Sequence, residues 1–116
     1  MEIIKAPKSG FCFGVKKAIE TAENAAKNGG EINSCGMLIH NSRVAEDLKS
    51  KGIGIIDSLE DAEPFSTVIV RSHGEPKSFY DKATEKNLKV IDATCPFVAR
   101  IHEIAKMAYE SNKQVL

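Results

Sequence analysis

The chain has 116 residues, with sixteen Lys and Arg set against sixteen Asp and Glu. That length supports one ordinary domain, and balanced charge supplies no long-range field to gather nucleic acid or an anionic membrane, so neither is expected as a partner. No basic region leads into a long apolar run and no apolar stretch reaches bilayer length; three cysteines without a CxxC pair argue against a disulfide framework, and the chain reads as cytoplasmic.

In chain order, EIIKA (2–6) reads as a short strand, followed by the loop PKSGFCFG. A helix is predicted from about Val15 to Lys27, because Val15, Ala18, Ile19, Ala22 and Ala26 recur at helical spacing and NGG ends the run. INSCGMLIHN (32–41) reads as a strand region ending at His40, then a helix over Ser42 to Ser50 that Gly52 terminates. IGII (53–56) is a strand, and the acidic run DSLEDAE (57–63) reads as a solvated loop. TVIVRSHG (67–74) is β-branched and bounded by glycine, the clearest strand of all, and a helix follows from Pro76 to about Lys86. KVIDATCP (89–96) supplies another strand, and Pro96 suits the first turn of a helix to about Ser111. The ending SNKQVL reads as a turn and the first residues of a further strand.

Strands alternating with short helices predict an α/β fold, a mainly parallel sheet with helices on its faces, and residues 1–116 read as a single α/β domain. In such sheets ligands bind beyond the carboxyl ends of the strands, where helix N-termini point. Cys12, His40, His73 and Cys95 all fall at strand-to-helix junctions, which predicts that they share one edge. Cys95 precedes Pro96 at a helix start and Cys12 precedes Val15. Unpaired backbone amides and the helix dipole there favour the thiolate form that binds metal; the competing reading is two small buried hydrophobes.

His40 in LIHN and His73 in SHGEP suit capping or turn hydrogen bonds, anion recognition beside helix N-termini, or metal ligation. Cys35, inside a strand before Gly36, reads as buried, and His102, beside the apolar stripe Val98, Ile101, Ala105 and Ala108, as a satisfied helix histidine. GFCFG departs from GxGxxG, because Cys12 replaces the glycine that lets a pyrophosphate approach, and no GxxxxGK[ST] loop is present. A small non-catalytic zinc module using Cys12, Cys95, His40 and His73 is one function these residues allow. A thiol-redox pair of Cys12 and Cys95 is another.

Taken together, GFCFGVKKAIE, LIHN, VIVRSHGEP and VIDATCPFV, in this order and at these separations, resemble the N-terminal third of the LytB family, the 4-hydroxy-3-methylbut-2-enyl diphosphate reductases of the non-mevalonate isoprenoid pathway. The resemblance runs along essentially the whole chain. It implies one lobe, the N-terminal cluster-binding one, of a three-lobed α/β enzyme built around a 4Fe-4S cluster held by three cysteines. Cys12 and Cys95 are then two of the ligands, and the third is expected outside this chain. His40 and His73 are implied as substrate-binding residues for the diphosphate. The implied reaction is reductive dehydroxylation to isopentenyl and dimethylallyl diphosphates, with electrons from a small redox protein. In complete members a proton-handling glutamate and further Ser/Asn contacts lie beyond the point where this chain stops, so no residue within it is assigned as catalytic.

Overall fold

The computed structural model describes residues 1–115. Four short apolar runs pair in parallel: β1 (Ile32–Cys35), β2 (Ile53–Ile56), β3 (Thr67–Val70) and β4 (Lys89–Asp92), in the spatial order β2-β1-β3-β4. β3 is central and apolar on both faces, with Val68, Ile69 and Val70 all fully buried, as a strand covered by helices on each side requires.

The helices are α1 (Phe13–Lys27), α2 (Ser42–Ser50), α3 (Lys77–Glu85) and α4 (Pro96–Glu110). Ala18, Ala22 and Ala25 of α1 and Leu48 of α2 close one face over Ile32, Ile53 and Ile69. Alanine at these helical intervals lets the α1 backbone lie close to the sheet. The other face is closed by Phe79 and Ala83 of α3 with Val68, Val70 and Leu88. The chain runs outward from β1 to β2 through α2 and from β3 to β4 through α3, on opposite faces. Right-handed crossovers demand that arrangement when the direction of winding reverses between β1 and β3.

Three sequence expectations are corrected. Residues 2–6 form no strand: Ile3 and Ile4 are both more than 80% exposed. Neighbouring strand residues face opposite sides, so neither side of this segment is covered, and among the described residues no neighbouring strand pairs with it. The acidic run holds a short 3-10 helix, Leu59–Asp61, capped by Ser58, and it buries Leu59 and Ala62 against the α3 face. Two apolar residues set among four acidic ones anchor what reads as solvated. α4 forms over the predicted residues but buries none of them. Phe97, Ile101, Ile104 and Met107 are each at least half exposed, and the radius of gyration is 16.7 Å where a chain of this length packed into one body gives roughly 13 Å. The expected terminal strand is absent through residue 115, and Leu116 lies outside the described residues. Among the described residues no helix is long and apolar enough to cross a membrane.

At the end of β4, Asp92 accepts from the Thr94 backbone amide at 2.8 Å and from the Tyr80 hydroxyl at 3.0 Å. Burial pushes the Asp92 carboxyl up, but hydrogen bonds from Thr94 and Tyr80 outweigh it and hold the group below its ordinary value. Burial, then the bond to Asp92, pushes Tyr80 up to about 12. A carboxyl whose folded-state value lies below its unfolded one contributes stability above the unfolded value and loses it as pH falls through the folded one. Asp92→Asn is therefore expected to flatten the acid limb of the stability profile, read by chemical denaturation from neutral pH downward. An unchanged acid limb would show that these bonds do not favour the charged form.

Candidate functional site

Parallel strands deliver every exit to one edge, and the winding reverses between β1 and β3, where such folds open a crevice. His40 lies in the connection leaving β1 and His73 in the connection leaving β3. The β1 connection is pinned by buried Leu38 and Ile39 and by Asn41, which caps α2 by accepting from the Val44 amide at 3.1 Å. His40 is the exposed residue between those anchors. His73 is also exposed, with Nδ1 3.1 Å from the Gly74 carbonyl oxygen. The two imidazole planes are within 9° of parallel, their centroids 6.4 Å apart.

Cys12 reaches this edge by another route than a preceding strand, since residues 2–6 form none. It is the N-cap residue of α1, as Cys95 is of α4, and neither side chain makes a capping hydrogen bond. Ser, Thr, Asp or Asn ordinarily fills such a position. With sulfur there, the first-turn amides of both helices remain available to whatever the sulfurs hold.

The two helix starts meet at Gly14. An ideal Cβ on this buried residue would lie 2.5 Å from Cys95 Sγ and 3.0 Å from its Cβ. No real Cβ tolerates the first separation, so only glycine lets α1 and the Cys95 side chain approach so closely. Phe13 and Phe97, one on each helix, meet edge to face beside them, with centroids 6.3 Å apart at 79°, a favourable aromatic geometry. The frame of GFCFG thus has a local reason: its second glycine admits the Cys95 sulfur and its second phenylalanine packs against α4.

All three cysteines are free thiols, which leaves no disulfide between Cys12 and Cys95. Cys35 is half-buried and packs with Val68 and Val70 on the face that α3 covers, away from α1. Burial first, then the Glu75 carboxylate, pushes its thiol up. Among the described residues no three His, Cys, Asp or Glu side chains converge to hold a metal ion. Among the described residues Cys12, Cys95, His40 and His73 are not gathered into one tetrahedral set; the imidazoles lie parallel at the strand exits and the thiols stand at the helix starts.

Sequence reasoning missed Gly14, Arg71 and Glu75. Arg71 and Glu75 form a shielded ion pair around His73, and the signal was present as opposite charges four apart flanking SHG. The His102 ring packs against Gly74, where a Cβ would lie 2.9 Å from its Cε1.

A family model described as LytB protein matches residues 3–116. The chain is 44% identical over 108 residues to the 4-hydroxy-3-methylbut-2-enyl diphosphate reductase of Alkaliphilus oremlandii, covering 91% of this chain and 38% of that protein. It is 40% identical over 120 residues to the reductase of the same name from a Thermoanaerobacter species, covering 100% of this chain and 42% of that one. Among solved structures, the E-1-hydroxy-2-methyl-but-2-enyl-4-diphosphate reductase of Plasmodium falciparum superposes with a TM-score of 0.86 at 34% identity, over 91% of this chain and 34% of that one. A structure described as (E)-4-hydroxy-3-methyl-but-2-enyl diphosphate reductase, the terminal enzyme of the non-mevalonate pathway, superposes with a TM-score of 0.81 at 40% identity, over 94% and 39%. The chain thus spans about two fifths of the length of these curated relatives.

The Gly14 contact has a direct test. Gly14→Ala is expected to cost about 1–3 kcal/mol, as overpacking does, and to push the Cys95 sulfur outward. Thermal melting and the rate of Cys95 alkylation measure the two effects, and wild-type values for both would show that the approach is not tight.

Proposed function

Because the chain belongs to the LytB family, we propose that the protein it builds is a 4-hydroxy-3-methylbut-2-enyl diphosphate reductase. It reductively dehydroxylates that substrate to isopentenyl and dimethylallyl diphosphates. Residues 1–116 are its N-terminal α/β lobe, one of three, and the protein works in the cytoplasm with a small redox protein as electron donor. The observation that carries the reading is the arrangement at the carboxyl edge, with Cys95 against Gly14, two residues along from Cys12, and His40 beside His73 across the β1/β3 switch point.

The donor set suits an iron-sulfur cluster. Two free thiols stand at helix starts whose amides have no side-chain cap, and soft thiolates with nearby N–H donors are what such clusters bind. Two sulfurs do not hold a 4Fe-4S cluster with one open iron, so the third cysteine comes from the part of the protein beyond this chain. Cys35, on the other face, is not that ligand. A bound cluster supplies electrons and Lewis acidity to the reaction.

This chain's own residues hold and orient. Cys12 and Cys95 anchor the cluster, and Phe13 and Phe97 line the approach with apolar surface. His40 and His73 donate hydrogen bonds to diphosphate oxygens. With Nδ1 of His73 engaged by the Gly74 carbonyl, Nε2 is the ring nitrogen left to face the substrate, and it donates there when it carries a proton. Balanced overall charge fits this local mode of anion recognition, in which a few placed N–H groups replace a broad basic surface.

Two sets of variants of the complete enzyme, purified anaerobically, test the assignment. Cys12→Ser and Cys95→Ser are expected to lose iron and the visible cluster spectrum, while Cys35→Ser keeps its iron; equal loss in all three would overturn the ligand assignment. His40→Asn and His73→Asn are expected to keep the spectrum and weaken substrate binding by about one to two orders of magnitude, the worth of a charge-assisted hydrogen bond. Alanine at either position is expected to be worse than asparagine, whose amide recovers part of the bond. Metal lost from both asparagine variants would make the histidines ligands instead.

A further inference from the structure

The segment from Arg71 to Glu75, which carries His73 out of β3, is closed on itself by charge. Arg71 donates from Nε and Nη2 to Glu75 Oε1 at 2.9 and 2.6 Å. The Gly74 amide closes the same loop by donating to the Arg71 carbonyl at 3.0 Å. The pair is shielded, with the Arg71 side chain 27% and the Glu75 side chain 12% exposed. Charge-assisted bonds are stronger and more directional there than at an open surface.

The turn after β1 and the start of α4 both touch this segment. An ideal Cβ on Gly36 would lie 2.9 Å from Arg71 Nη1, so the guanidinium rests against the turn that ends β1 and leads to His40. The Cys95 amide donates to the Ser72 carbonyl at 2.8 Å, and His102 of α4 packs against Gly74. An open cavity of about 280 Å³ borders the pair, lined by Arg71 and Glu75 together with Cys35, Asp57, Ser58 and Lys82. The ion pair links the two side chains at the wall of this cavity.

From this geometry we infer that Arg71 and Glu75 are positioning residues for the diphosphate subsite, an ion pair that sets the separation of His40 and His73 by bracing the His73 loop against the end of β1. The inference rests on the proposed role of the two histidines. Glu75 takes two of the five N–H donors of Arg71 and leaves three, so direct ligation of the anion by Arg71 is the rival possibility. The two possibilities differ in sign: if Arg71 were a direct ligand, removing Glu75 would free the guanidinium and tighten anion binding, whereas a positioning pair loosens binding whichever partner is removed.

The test uses the complete reductase, with inorganic pyrophosphate as a competing probe. Arg71→Ala and Glu75→Ala are each expected to raise the substrate KM and the pyrophosphate inhibition constant about tenfold, with kcat changed less than about threefold and cluster absorbance retained. Glu75→Gln, which keeps an acceptor oxygen, and Arg71→Lys are expected to recover part of the loss. Combined with His73→Ala, Glu75→Ala is expected to add little, because residues acting through one group are not additive. Unchanged constants, tighter pyrophosphate binding by Glu75→Ala, full additivity with His73→Ala, or parallel loss of kcat, cluster and melting temperature would each overturn the inference. Should the alanine variants fail to fold, Glu75→Gln and Arg71→Lys are read alone, a rise of about threefold in both constants supporting the inference and wild-type constants overturning it. His40→Ala and His73→Ala are run alongside. If they leave pyrophosphate affinity unchanged, the diphosphate reading fails with its dependent; if they weaken it while the Arg71 and Glu75 variants do not, only this inference falls.

Discussion

The pairing of β1 with β3 is the constraint on which the site depends. These strands are neighbours in space while β2 intervenes in sequence, so the chain must run outward from β1 in one direction and return to run outward from β3 in the other. Every strand is parallel, so both exits open on the same edge. Two imidazoles far apart in the sequence come within 6.4 Å of each other without any direct bond between their loops. Backbone hydrogen bonds in a buried sheet bring the two exits side by side and leave the finer spacing of the rings to the loops, and the rigidity beneath them is that of the central β3, whose Val68, Ile69 and Val70 are fully buried.

The thiols depend on a different device. Helices approach only as closely as their side chains allow, and at the start of α1 the limiting side chain has been reduced to a hydrogen atom. Gly14 is to the helix starts what the switch point is to the histidines, the feature that brings the Cys95 sulfur against α1. The two devices are linked through backbone, since the Cys95 amide is bonded to the Ser72 carbonyl immediately before His73.

Much of this was legible in the residues. β-branched runs bounded by glycine marked β3, alanine at helical spacing marked α1, and Pro96 marked the start of α4, because each reflects a local preference that packing reinforces. The parallel α/β class followed from the alternation of elements, and the family from four motifs in order. What was not legible is what depends on partners. EIIKA has the composition of a strand but no neighbour, and composition cannot supply one. DSLEDAE looks solvated by count, yet Leu59 and Ala62 find apolar surface that only the fold creates. Strand order, and with it the pairing of His40 with His73, is absent from a one-dimensional reading. The Arg71 and Glu75 pair was written at helical spacing in a segment that is not helical, where the usual i,i+4 inference does not apply.

The exposure of α4 ties the sulfur of Cys95 to a helix–coil equilibrium. A fifteen-residue helix that buries none of its side chains is tied to this lobe through its first two turns, Cys95 to Ser72, Phe97 against Phe13 and His102 against Gly74. Beyond them it relies on backbone bonds that are marginal at that length. Helices melt from their ends, and Cys95 stands at the end. Shielding Phe97, Ile101, Ile104 and Met107 from water would release roughly 1.5–3 kcal/mol for each large side chain fully buried, free energy that lengthens the lifetime of the first turn as well as the last. Order at the thiol and dryness along the apolar stripe are in this way coupled, so the geometry of the sulfur is set partly by side chains as far along the helix as Met107.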